Sequence, residues 1–422
     1  MLEWAKTKIN EYGKRYQIDL AYVIKNEFWV YLRLGISLIL GLAVSVAFAR
    51  LAPIEVFGQY NFILAILGIV SIVSIPGLNT AVLRSVARGY EGSYKQAVKT
   101  KFLWSLLGIP ALLGVGAYYY YYSTQIIGIG LMMSSIFLPF IHAPDTWNNF
   151  LVGKKRFDLT AIYGSIQAAI SAAAMITVLF LNATHLLLII TAYLVTSSLL
   201  NCLCYRRSLK YIENQSKDDE CQKYGYFLTG IGIAGTVAAH IDKILIGILL
   251  SSPELAIYAI ALVIPTKIKD LLKLVWAPFT PKFSQDGIEI GHVSERLKRF
   301  VLPLILLALV GSALYLLFID DIMLLLFSNK YIESIIYSKI LLLMLLIGIP
   351  DALLHTFIIV KKNTKVIMRV DLTCAFLGIA IMASFIYLWG VMGAAWGLVL
   401  RRVLHISLTW IGTSQEGGEK MR

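Results

Sequence analysis

Twelve stretches of about twenty mostly apolar residues recur along this chain, and a run of that length is what a helix needs to cross the hydrocarbon core of a bilayer. They fall at 28–49, 59–77, 102–121, 125–143, 160–181, 184–204, 226–250, 255–279, 300–319, 335–358, 367–387 and 391–411. Inside a bilayer every backbone N–H and C=O must find a partner within the protein, so spans of this composition fold as helices. The chain has 58% hydrophobic and 15% charged residues and a mean hydropathy of +0.74, outside the range of soluble domains. The expected fold class is therefore an all-α polytopic membrane protein with twelve transmembrane helices.

The placement of Lys and Arg orients the spans. Of the 38 cationic residues, 29 lie at the termini and in the loops after even-numbered spans, and three (Arg50, Lys330, Lys339) lie in the loops after odd-numbered ones. By the positive-inside rule both termini are cytoplasmic. The net charge of +13 follows the bilayer in this way, and no nucleic-acid partner is expected. The opening residues carry charge throughout and lack a small-residue cleavage site, so the first span is read as the insertion signal.

The most highly charged internal connection, 205–223, divides the spans six and six. The expected organisation is an N-terminal six-span lobe over 1–204, a cytoplasmic linker over 205–223 and a C-terminal six-span lobe over 224–422. A faint echo accompanies the division, with LAPIEVFGQY (51–60) entering span 2 and SPELAIY (252–258) entering span 8. Both halves start from the cytoplasm, so the repeat is parallel.

Six cations sit inside spans, all in the second half: Lys243, Lys267, Lys269, Lys273, Arg401 and Arg402. A Lys or Arg at mid-helix costs about 2.5 to 3.5 kcal/mol on insertion scales, so these side chains must line water, protein or a bound anion. At 1.5 Å per residue, Lys267 lies about 18 Å and Arg401 about 15 Å below the outer ends of their spans, with Asp242-Lys243 at about 12 Å. A break of span 8 near Pro265 is expected to free backbone groups beside Lys267. The six cations are the candidate substrate-binding residues, because an electropositive mid-membrane cavity suits a phosphate or pyrophosphate. The competing assignment is internal pairing, of Asp270 with Lys273 or Lys267 and of Asp242 with Lys243 or an arginine across the lobe. The first-half spans hold only Arg33 near a mouth and His142 with Asp145 at a cytoplasmic end.

Ion-coupling candidates are Asp242, Asp270 and the Asp351/His355 pair, spaced i, i+4 after Pro350. Polar capping of a Pro-broken helix is the other reading of that pair, and His240 and His405 read as lumen-facing hydrogen-bonders. The basic segment with Arg84, Arg88, Lys95, Lys99 and Lys101 either guides anionic headgroups or serves topology alone. Tyr118 to Tyr122 form an interfacial belt, and Gly393 and Gly397 have the spacing of close helix packing. Four cysteines, with no fourth ligand near Cys202, Cys204 and Cys221, point to apolar packing. No nucleotide loop, nucleophile elbow or zinc spacing is present, so no catalytic residue, metal or cofactor is expected.

Trp29 with its following span, FARLAPIEVFGQY (48–60), PGLNTAVLR (76–84), DKILIG (242–247), ELAIY (254–258) and PFTPKFS (278–284) resemble the bacterial Wzx-type polysaccharide biosynthesis (O-antigen or oligosaccharide) flippases. These belong to the multidrug/oligosaccharidyl-lipid/polysaccharide exporter superfamily. The resemblance implies a V-shaped, two-lobe transporter of the bacterial cytoplasmic (inner) membrane. It would carry undecaprenyl-pyrophosphate-linked oligosaccharide from the cytoplasmic to the outer leaflet by alternating access through a cationic cavity. Its expected partners are the lipid-linked oligosaccharide and membrane lipids, with a polysaccharide polymerase as a further candidate. Two alternatives stand beside it. One is a cation-coupled multidrug exporter of the same superfamily, disfavoured because six cations would repel cationic cargo. The other is a membrane-embedded glycosyl- or acyltransferase, for which Asp320-Asp321 on a short loop makes a poor site.

Overall fold

The computed structural model describes residues 20–276, 290–360 and 364–419, with side chains over 28–271, 309–344, 346–348 and 369–411. The first half builds α1 (Leu20–Leu51), α2 (Ile54–Val70), α3 (Gly77–Ala87), α4 (Gly92–Leu106), α5 (Gly108–Tyr122), α6 (Gln125–His142), α7 (Trp147–Gly153), α8 (Phe157–Asn182) and α9 (Leu186–Ser208). The second half builds α10 (Cys221–Leu249), α11 (Ser252–Trp276), α12 (Ile290–Phe327), α13 (Ser334–Val360) and α14 (Thr364–Glu419). No strand occurs among the described residues.

Nine helical stretches among the described residues are long and apolar enough to cross a membrane. One of them, Arg369–Ile411, holds two crossings, because Gly390 (φ 57°, ψ −135°) breaks α14 into a hairpin. Close packing closes that hairpin: a Cβ on Gly393 would collide with the Phe385 carbonyl, and one on Gly397 would press on Met382 Sδ at 2.9 Å. With α11 and α13, all twelve apolar stretches of the sequence fall on helices over their described residues.

Local chemistry starts the helices. Pro53 occupies the N-cap of α2 at φ −57°, and Glu55 stands in its first turn, where an acid suits the positive helix end. Before α11, the Ser251 hydroxyl donates to the Glu254 carboxylate at 2.6 Å while the Glu254 N–H reaches back to Ser251 Oγ at 3.4 Å. The expected break at Pro265 does not occur, for α11 runs through that residue. The Ala261 carbonyl, which Pro265 cannot serve, instead accepts the Ser338 hydroxyl at 2.9 Å, and Tyr315 Oη lies 2.5 Å from that hydroxyl. The backbone group freed by the proline is thus satisfied by a buried pair from α12 and α13.

The halves meet along α2 and α3 on one side and α10 and α11 on the other, with α1 also touching α11. At the end opposite the basic loops, a Cβ on Gly58 would collide with the Ser252 carbonyl, and Arg50 donates to the Leu325 and Leu326 carbonyls. One apolar cluster joins both halves, running from Phe48, Ile63 and Leu131 to Leu255, Tyr258 and Leu398. A second, at the basic end, packs Leu78, Tyr94, Trp147 and Phe150 around Cys221 at the start of α10.

Residues 212–220 lie as a strap across the first half. Gly92 N–H donates to the Ser216 carbonyl at 2.8 Å, and the Asp218 N–H donates to Ser93 Oγ at 2.8 Å. Lys154 Nζ stands 2.7 Å from Glu91 and 3.0 Å from Glu213, whose N–H donates to the same Glu91 carboxylate at 2.6 Å. Burial pushes the Glu91 carboxyl up, but the Lys154 ammonium and the Glu213 and Asn214 N–H groups outweigh it and hold it below its ordinary value. A lowered folded-state pKa gives a contribution present above the unfolded value and lost as pH falls. Hydrogen exchange over 212–220 is accordingly expected to be slow at neutral pH. It should quicken, beyond the intrinsic pH dependence, as pH drops below the ordinary carboxylate value of about 4. Glu91→Gln should remove that step; a wild-type strap whose protection ignores pH would show that Glu91 does not hold it.

Candidate functional site

Lys243 follows Asp242 on α10, about 100° further round the helix, and the two side chains line one cavity with different partners. Asp242 is buried, accepts the Tyr258 hydroxyl at 2.8 Å through Oδ2, and has no partner for Oδ1. Lys243 makes no hydrogen bond or ion pair among the described residues and opens onto a cavity of about 420 Å³. Asp242, Lys243, Thr266, Lys269, Asp371, Arg401, Arg402 and His405 supply its polar lining, and Ala234, Ala238, Leu262, Met344 and Leu398 much of its apolar wall. Among the described residues its lining therefore holds four cations and two carboxylates.

Helix geometry sets the donors. Arg401 Nη1 donates to the Ala238 carbonyl at 2.6 Å, tying the α14 hairpin to α10. Its methylene stem lies over Gly378, where a Cβ would stand 2.8 Å from Cδ. One turn on, His405 Nε2 lies 3.1 Å from Asp371 Oδ1 across the hairpin. Arg402 approaches α13 at Gly348, where a Cβ would come within 4.0 Å of its guanidinium. Such a cavity can hold an oxyanion, with guanidinium forks and a mobile ammonium as donors. Among the described residues, no group of three or more His, Cys, Asp and Glu stands together as a metal site.

Five of the candidate residues, Asp242, Lys243, Lys269, Arg401 and Arg402, line this one cavity. Lys267 and Asp270 are not among its lining residues. Lys267 turns to the seam between halves, where a Cβ on Gly41 of α1 would meet its Nζ at 2.8 Å. Depth puts Lys267 level with Arg401, but two residues of helix carry it about 160° away from Lys269, so α11 presents cations on opposite faces. The side chains of Lys273, Asp351 and His355 lie outside the described residues.

Several cations of the first half have protein partners. Arg33 donates to Asn148 Oδ1 at 2.5 Å and lies 5.8 Å from the centre of the Trp147 ring. Lys101, placed by the sequence in a basic cytoplasmic segment, is fully buried, 2.5 Å from Asp145 and 2.7 Å from Asn79 Oδ1. Arg84 stacks on the Tyr224 ring at 4.6 Å and Arg88 pairs with Asp218 at 3.5 Å, which leaves Lys95 and Lys99 exposed on that segment.

The profile of the family described as polysaccharide biosynthesis protein matches residues 23–284, more than half of the chain. The chain belongs to that family. No curated protein sequence matches it. Among solved structures, an outward-facing multidrug resistance MATE family transporter of the MOP superfamily is 13% identical, covering 95% of this chain and 96% of its own, at a TM-score of 0.66. The lipid II flippase MurJ in an inward closed conformation is 14% identical, covering 93% of this chain and 87% of its own, at 0.65. A MOP superfamily transporter from Pyrococcus furiosus, described as having a binding pocket of reverse polarity, is 12% identical over 94% of this chain and 96% of its own, at 0.64. At these identities the likeness is one of fold. This member of the polysaccharide biosynthesis protein family is thus a multi-pass, all-helical membrane protein with the fold of MOP superfamily transporters.

Sequence reasoning missed Asp371 as a lining residue and its pairing with His405. The hairpin register could have found them: Gly393 against Phe385, Gly397 against Met382 and Arg401 against Gly378 carry the pairing onward to about 371 and 405. In this family member Tyr258→Phe would strip Asp242 of its described hydrogen bond. Leaving a buried carboxylate unpartnered costs about 1 to 3 kcal/mol. The melting temperature in detergent is expected to fall by several degrees, and an unchanged value would show that Asp242 needs no donor.

Proposed function

We propose that this protein is a flippase that carries undecaprenyl-pyrophosphate-linked oligosaccharide from the cytoplasmic to the outer leaflet of the bacterial inner membrane for surface polysaccharide biosynthesis. Two six-helix lobes, 1–204 and 224–422 joined by the linker 205–223, alternate in access to the two sides. Both termini face the cytoplasm, as the 29 to 3 division of loop cations requires. The observation that carries the reading is the cavity in which Lys243, Lys269, Arg401 and Arg402 outnumber Asp242 and Asp371 in a member of this family. A lining with these guanidinium and ammonium donors suits the pyrophosphate of a lipid carrier, and the same donors disfavour a cationic drug as cargo. Asp242 and the Asp371–His405 pair are titratable groups at the cavity and join Asp270 and the Asp351/His355 pair as candidates for ion coupling.

Reporter fusions at Gln215 are expected to report the cytoplasm and fusions at Lys330 the outside. The reverse pattern would overturn the orientation and with it the direction of transport.

Arg401→Ala and Arg402→Ala are expected to abolish surface-polysaccharide display in a flippase-deficient strain at normal membrane abundance. Arg401→Lys should keep part of it, since charge survives and only the fork is lost. A glutamate at 401 should be worse than alanine because it repels the anion. Full display by both alanine variants would remove the cavity from the transport path.

A further inference from the structure

Lys243 borders two cavities. The second, of about 270 Å³, lies between the halves of the chain, with Asn61 and Gly68 from α2, His142 from α6, Tyr193 from α9 and His240 from α10 among its walls. It has room for about nine waters at bulk density, enough for a sugar ring. No carboxylate lines it among the described residues. Asp242 Oδ2 accepts the Tyr258 hydroxyl and Asp145 pairs with the Lys101 ammonium.

Those features select a ligand class. A cation would meet Lys243 with no negative charge to offset it, and an apolar guest would leave that ammonium unsolvated, since it has no partner among the described residues. A neutral sugar would satisfy the amide, phenol and imidazoles but not the charge. An oxyanion carried on a hydroxyl-rich ring satisfies all of them. His240 is held in place, because its ring occupies the space a Cβ on Gly68 would take.

We infer that this junction cavity is a second anion subsite, which receives a carboxylate-bearing sugar of the lipid-linked oligosaccharide while the second-half cavity holds the pyrophosphate. Lys243 serves both, and this rests on the flippase reading above. Lys243 is the one described cation among the lining residues of both compartments, and its four-carbon stem gives the ammonium reach. Cargo seated this way lies across the seam, with its head in the second half and its first sugars between the halves.

Full-length protein in nanodiscs tests the inference through ligand-induced shifts in melting temperature, which report affinity for the folded state. Three probes are used: farnesyl pyrophosphate, its conjugate with a glucosyl-glucuronate disaccharide, and its conjugate with a glucosyl-glucose disaccharide. The acidic conjugate is expected to bind on the order of tenfold tighter than the neutral one, the value of one added charge-assisted contact. That ratio should fall towards one in His240→Gln and in Lys243→Gln, and persist in Lys243→Arg. Arg401→Ala should weaken both conjugates and keep the ratio. Equal binding of the two conjugates by wild type, or a ratio that survives both His240→Gln and Lys243→Gln, overturns the acidic-sugar subsite. If farnesyl pyrophosphate shifts nothing and neither conjugate binds, the flippase reading fails first and takes this inference with it. Melting temperatures without ligand separate a lost contact from a misfolded variant.

Discussion

A cation inside an apolar bundle must be given an anion, a carbonyl, an aromatic ring or water, because leaving it in hydrocarbon costs several kcal/mol. The chain meets that constraint differently in its two halves. Lys101 has a carboxylate and two polar side chains, Arg33 has an amide and an indole, and Arg84 and Arg88 have a phenol ring and a carboxylate. In the second half Arg401 takes a main-chain carbonyl with one of its donors, and Lys243 takes nothing from the described protein. These first-half cations are therefore fastened to protein groups, whereas the second half leaves the Lys243 ammonium facing a cavity.

That division explains which features could be read before the structure. Helix positions follow from apolar run length alone, so all twelve stretches fall on helices over their described residues, and the gap between 387 and 391 marks the break at Gly390. Boundaries are less legible. α2 starts at Ile54, ahead of the expected 59, because Pro53 caps it and a first-turn Glu55 is compatible with a helix end. α4 starts at Gly92, ten residues ahead of the expected 102, since a segment that looks like a basic loop is folded and partly buried.

What the sequence hides is pairing across long separations. Lys101 reads as a topogenic charge until Asp145, 44 residues later, comes within 2.5 Å of it. Asp371 and His405 are single polar residues in two different spans, and only the fold of the hairpin makes them a pair. Rotation misleads in the opposite direction. Lys267, Lys269 and Arg401 lie at comparable depth by counting residues, yet Lys267 faces α1 while the other two face the cavity. Depth is a one-dimensional property legible in a run of letters, whereas azimuth toward a neighbour depends on which helices touch.

Placing the cavity-lining cations on the second half has a mechanical consequence for any transporter that works by moving one half against the other. An anion bound to Arg401 and Arg402 travels with α14 and α10, because Arg401 is itself fastened to the Ala238 carbonyl. The seam residues differ: Lys267 approaches α1, and the junction cavity takes its walls from α2, α6 and α9 as well as α10. Any motion of the halves changes the seam first and the second-half cavity least. A cargo held by its head in the rigid compartment and by a sugar at the seam would then keep its affinity at one end while losing it at the other. Release toward one side needs that kind of differential binding, since a site that held both ends equally in both states would shift no equilibrium.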